Sequence, residues 1–63
     1  MKAERFVREY ANQKIRTLRE LSKNYPDKKE RHECMIDEIN WYVDARAQQT
    51  ITVDECMILI ANV

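Results

Sequence analysis

The 63-residue sequence holds no glycine, one proline, two cysteines and one histidine. Each shortage removes a class of chemistry. Without glycine there is no loop whose bare amides could cradle a phosphate. A single histidine, His32, leaves a nucleophilic Cys34 or Cys56 at most one base, with nothing to orient it. The order His32-Glu33-Cys34 has the wrong spacing for a zinc knuckle, and no second Cys/His pair follows. Asp37 and Glu38 are sequence neighbours and point to different faces of a helix, which does not make an acid/base pair. A small helical domain also has little room for a pocket of several hundred Å³. The chain therefore reads as a non-enzyme with no cofactor and no metal, and His32 as a half-buried residue near the start of a helix.

Long apolar runs are missing too. No stretch approaches the roughly 18 residues needed to cross a bilayer. The first residues are charged at Lys2, Glu4, Arg5, Arg8 and Glu9, unlike a signal peptide. Cys34 and Cys56 lie in helical patterns, where free cysteine behaves as a small apolar residue. They are expected to be reduced and the protein cytoplasmic. Charged residues make up 35% of the chain, yet its apolar residues recur periodically, which argues for a folded domain. A single domain of this length buries only about 60% of its unfolded surface, so its stability is marginal and self-association is a common remedy.

What is present is helical periodicity. From residue 2 to 24, Ala3, Phe6, Val7, Tyr10, Ala11, Ile15, Leu18 and Leu21 recur at three- and four-residue steps, with Tyr25 next in the series. Pro26 ends this helix, because proline disfavours helical geometry in the residue before it. Asp27 is placed to cap a second helix over about 27–48, with Glu30 at the capping-box position. His32, Met35, Ile36, Ile39, Tyr42, Val43 and Ala47 share its main apolar face, and the short link makes the two helices antiparallel. Gln48 to Ile51 form a second turn. Thr52 and Glu55 then make a capping box for a third helix over about 52–62, with Asp54 and Glu55 at its positive end. The fold class is all-α: a small three-helix domain, a long antiparallel hairpin closed by a short C-terminal helix.

That terminal helix organises the rest. Val53, Cys56, Met57, Ile60 and Ala61 form one face, while Ile58, Leu59 and Val63 fall elsewhere on the wheel. A helix apolar nearly all round is usually buried on several sides. Either two elements of the chain cover it, or Met57, Ile58, Leu59 and Val63 take part in self-association.

The zero net charge hides a polarity along the chain: residues 1–24 carry +4 and residues 25–63 carry −4. On the first helix Arg5, Arg8, Arg16, Arg19 and Lys23 gather opposite the apolar face. They suit phosphate contact along nucleic acid, or form a solvated face steadied by pairs such as Arg16 with Glu20. The second helix bears an acidic stripe of Glu33, Asp37 and Asp44. It suits a basic patch on a larger protein, the basic ridge of a second copy, or solvent. Beside it Trp41, Cys34 and Ala45 lie away from the main apolar face, so Trp41 either packs under the terminal helix or anchors a partner.

The run Ile51-Thr52-Val53-Asp54-Glu55-Cys56-Met57 through Ile60-Ala61, about a fifth of the chain, resembles the endings of small helical proteins of phages and mobile elements of Gram-positive bacteria. Such proteins often bind a larger host or defence protein, anti-CRISPR proteins among them. The resemblance implies an inhibitor of a host defence nuclease. Taken with the absence of a catalytic constellation, the expected function is a protein-interaction module, expected to be a homodimer, that occupies a surface on a larger protein. A nucleic-acid-binding regulator is the first alternative and a self-assembling structural protein the second.

Overall fold

The computed structural model describes residues 3–63, so Lys2, placed in the first helix by its periodicity, lies outside the described residues. The chain is a bundle of three α-helices: α1 (Arg5–Asn24), α2 (Lys29–Ala47) and α3 (Val53–Ala61). A single 3-10 turn, Pro26–Lys28, joins α1 to α2. The bundle measures 35 × 18 × 16 Å, which is set by α1, about 30 Å long at 1.5 Å per residue.

Val7, Ala11, Ile15 and Leu18 of α1, Ile39 of α2 and Cys56 and Ile60 of α3 are buried together, with Ala3 ahead of α1. Ala3 and Ala11 are the small members of this core, and Ile39, Ile60, Val7 and Cys56 are fully buried. Phe6 and Tyr25 stay largely exposed and Leu21 lies at the margin. Phe6 lies about 100° around α1 from the buried Val7, whereas for Leu21 and Tyr25 the reason is length: α3 spans only about 13 Å. Its C-terminal end lies against the middle of α1, where Lys14 Nζ donates to the Ala61 carbonyl oxygen at 2.8 Å. The far end of the hairpin, with Leu21 and Tyr25, is left without a third helix.

Two starts differ from expectation. Pro26, with its fixed φ, opens the 3-10 turn, and the Lys28 amide donates to the Tyr25 carbonyl at 2.9 Å. That turn takes up Asp27, so α2 begins at Lys29 and Lys28 precedes it with no side-chain cap. Likewise α1 starts at Arg5 behind Glu4, which makes no capping bond.

The capping box of α3 is present as read. The Glu55 amide donates to Thr52 Oγ1, and the Thr52 amide donates to Glu55 Oε1, both at 3.1 Å. The turn before it closes α2 in a Schellman motif: the Thr50 amide donates to the Ala45 carbonyl at 3.0 Å and the Gln49 amide to the Arg46 carbonyl at 2.9 Å. That geometry needs a left-handed residue, and in a chain without glycine Gln49 supplies it at φ 61°.

Candidate protein-interaction surface

Trp41 does not pack under the terminal helix: the residue is 70% exposed. Its ring stacks on Tyr42, centroids 6.3 Å apart and planes 14° from parallel. On one side Trp41 borders an open groove of about 270 Å³ between α2 and α3, lined with Tyr42, Ala45, Thr50, Ile51 and Leu59. On the other it shares an open recess of about 370 Å³ with Cys34, Asp37 and Glu38, so the two neighbouring carboxylates, expected on different faces, flank one recess. The chain thus presents a tryptophan as the wall between an apolar groove and an acidic one.

The groove is fixed in shape by an interaction distant in sequence. Arg46, near the end of α2, donates from Nε to both carboxylate oxygens of Glu4 at 3.0 and 3.1 Å and from Nη2 to Oε1 at 2.6 Å. Its Nη1 donates to the Ile51 carbonyl at 2.8 Å. One guanidinium therefore ties the start of α1 to the connection that lines the groove, using the planar fork that lysine lacks. The bond to Arg46 is the main cause holding the Glu4 carboxyl below the usual carboxylate range. The amide bond of Thr52 does the same for Glu55. A lowered folded-state value means these groups stabilise the fold above the unfolded glutamate value of about 4.3 and cease to as pH falls through their own. Thermal melts at pH 7, 4 and 3 should show stability falling with acid, and Glu4→Gln should flatten that decline. An equally steep decline in Glu4→Gln would place the acid sensitivity elsewhere.

No family model matches the chain, and neither a curated protein nor a solved structure does.

The predicted interaction residues divide cleanly. Trp41 and Cys34 are exposed and Ala45 is half-buried, and the two recesses bring them onto one side of α2. Glu33, Asp37 and Asp44 are exposed. Glu33 pairs with Lys29 at 4.0 Å, whereas Asp37, Glu38 and Asp44 form no ion pair among the described residues. Of the four residues considered for self-association, Met57 and Val63 are half-buried against the core. Ile58 is 60% exposed and Leu59 36%. Of the two ways of covering α3, the chain itself supplies α1 and α2 against one face, and Ile58 stands on the outer one.

The basic ridge is exposed along its length but not uniformly positive. Arg5 pairs with Glu9 at 2.9 Å and Lys23 with Glu20 at 4.0 Å. The expected Arg16–Glu20 pair does not form. A glutamate preceding its cation is the better order on a helix, and Glu20 takes Lys23. Arg8, Arg16 and Arg19 have no ion pair among the described residues.

His32 is buried rather than half-buried. Its Nδ1 lies 3.1 Å from Ser22 Oγ, a nucleophile and a base at bonding distance. No carboxylate hydrogen-bonds the ring among the described residues, and the pair joins α1 to α2 where α3 has ended. It acts as an inter-helix bond. Cys34 and Cys56 are both free thiols. Cys56 is buried and donates to the Tyr42 carbonyl at 3.5 Å, and burial pushes its thiol pKa up, away from reactivity. Among the described residues no three His, Cys, Asp or Glu side chains converge to hold a metal ion. No described helix is long and apolar enough to cross a membrane.

Proposed function

We propose that the chain is a non-catalytic interaction module that binds a larger protein through the face of α2 and α3 around Trp41 and thereby modulates or inhibits it. One observation carries this reading: a tryptophan that is 70% exposed, stacked on its neighbour Tyr42 beside an open apolar groove. Tryptophan is enriched among residues that dominate binding energy, and an exposed one in so small a domain costs solubility with no gain to the fold. The acidic residues alongside steer encounter toward a basic surface. The likeness of the terminal stretch to phage and mobile-element proteins makes host defence proteins, nucleases included, the first partners to test. Cytoplasmic residence belongs to the same reading.

The test uses a purified candidate partner and three forms of the chain: wild type, Trp41→Ala with Asp37→Lys, and Arg16→Ala with Arg19→Ala. Binding should survive the second pair of changes and be lost with the first. Wild-type affinity in a folded Trp41→Ala, Asp37→Lys chain would remove the reading. The unpaired Arg8, Arg16 and Arg19 favour one rival, a nucleic-acid-binding regulator. It requires duplex binding whose logarithm falls with the logarithm of salt by about 0.9 per phosphate neutralised.

A further inference from the structure

We infer that the occupant of this face is a basic amphipathic helix of the partner, with its apolar side in the α2/α3 groove and its lysines or arginines over the Asp37–Glu38 recess. The inference rests on the partner-binding reading above and names the partner's chemistry. Cys34, Asp37, Trp41 and Ala45 follow one another at steps of three, four and four residues, so they form one stripe along α2. From Cys34 to Ala45 that stripe runs about 16 Å, three turns of a helix laid beside it. Its two ends differ in chemistry. At the Ala45 end the walls are Tyr42, Ile51 and Leu59, and Ala45 itself is small enough to admit a large aliphatic side chain. At the Cys34 end the walls are Asp37 and Glu38.

Three observations select a basic helix over other occupants. Asp37, Glu38 and Asp44 form no ion pair among the described residues, so an incoming cation breaks no existing bridge. The exposed indole offers its face to a guanidinium or ammonium, and the aliphatic stems of such residues also cover its ring. The trough between two packed helices is also the seat of a third, and an amphipathic helix reads it through anchors three and four residues apart. A second copy of the chain fits less well. Its basic face on α1 holds Arg5, Arg8, Asn12, Arg16, Arg19 and Lys23 with no apolar side chain among them, so it would meet the carboxylates and leave the groove empty.

Trp41 is the sole tryptophan and reports its own occupancy by fluorescence. The probe is a synthetic peptide of leucine and lysine, about 14 residues long so as to cover the stripe, with leucines at helical spacing. Two controls are a scrambled peptide of equal composition and a leucine–glutamate peptide of the same spacing. The expected result is a saturable blue shift of Trp41 emission with the amphipathic lysine peptide and none with either control. Asp37→Lys with Glu38→Lys, confined to exposed positions, should weaken binding at least about tenfold, and Ala45→Arg should do the same by filling the groove. Glu30→Lys, on α2 outside both recesses, should change it less than about twofold. If Ala45→Arg does not fold, the double charge variant decides. Equal binding of the leucine–glutamate peptide, or unweakened binding by the double charge variant, overturns the inference. A blue shift and doubled mass on concentrating the protein alone overturns it in favour of a second copy. If the lysine peptide fails while a larger protein still requires Trp41, the partner reading stands and the basic helix does not.

Discussion

Ile39→Ala is expected to unfold a large fraction of the molecules at physiological temperature. Ile39 is fully buried in α2 and meets the core faces of α1 and α3. Truncating such a residue costs about 2–5 kcal/mol, the lost transfer energy plus that of the cavity left behind. A 63-residue domain has only about 3–9 kcal/mol of net stability at the usual range per residue. One methylene-scale change therefore separates from a three-carbon one: Ile39→Val should cost about 0.5–1.5 kcal/mol and leave a cooperative fold. At about 4–8 °C per kcal/mol for a domain of this size, Ile39→Ala should lower the melting temperature by at least about 10 °C. Circular dichroism melts of the two variants measure this. Similar small shifts for both would mean that Ile39 is not at the centre of the core.

Trp41→Ala is expected to have the opposite signature, with little effect on folding and a large effect on binding. The indole is mostly in water, so its loss removes a stacking contact with Tyr42 and little buried area. Stability should change by no more than about 0.5–1 kcal/mol. A tryptophan at the centre of an interface accounts for about 2 kcal/mol or more, so affinity for the partner should fall at least about 30-fold. Calorimetric titration against the partner, with a melt of each variant, separates the two effects. A variant that melts early and binds normally would return Trp41 to the fold and take it out of the interface. The contrast between Ile39 and Trp41 is informative because both lie on α2, two residues apart, on opposite sides of the helix.

Much of the fold was legible because it follows local rules. Thr52 and Glu55 stand at capping-box spacing, and Pro26 must interrupt a helix. The Schellman motif shows in the sequence only as a turn, because Gln49 occupies the left-handed position where glycine is the usual sign. The Arg46–Glu4 clasp was missed because 42 residues separate its members and both sit on polar flanks. A geometric signal did exist. Two antiparallel helices place residues at equal distances from their turn opposite one another. Glu4 and Arg46 lie 21 residues either side of Tyr25, and Ser22 and His32 five either side of Asp27. Periodicity could not decide Trp41, because a second apolar stripe on α2 is equally a seat for α3 or for a partner. The length of α3 and its placement on α1 decided it, and those depend on tertiary packing. The same placement explains why Tyr25, in phase with the core by spacing, is left in water, whereas Phe6 lies about 100° around α1 from Val7 and so off the buried face.

The central claim is that the isolated chain folds with Trp41 outside its core. The most direct measurement is the emission of that single tryptophan, with acrylamide quenching, over a hundredfold range of protein concentration. Emission typical of an indole in water, readily quenched and independent of concentration, is the predicted result. Blue-shifted emission that resists quenching would contradict the account. If present at every dilution it would put Trp41 inside the fold, and if lost on dilution it would put Trp41 between two copies of the chain.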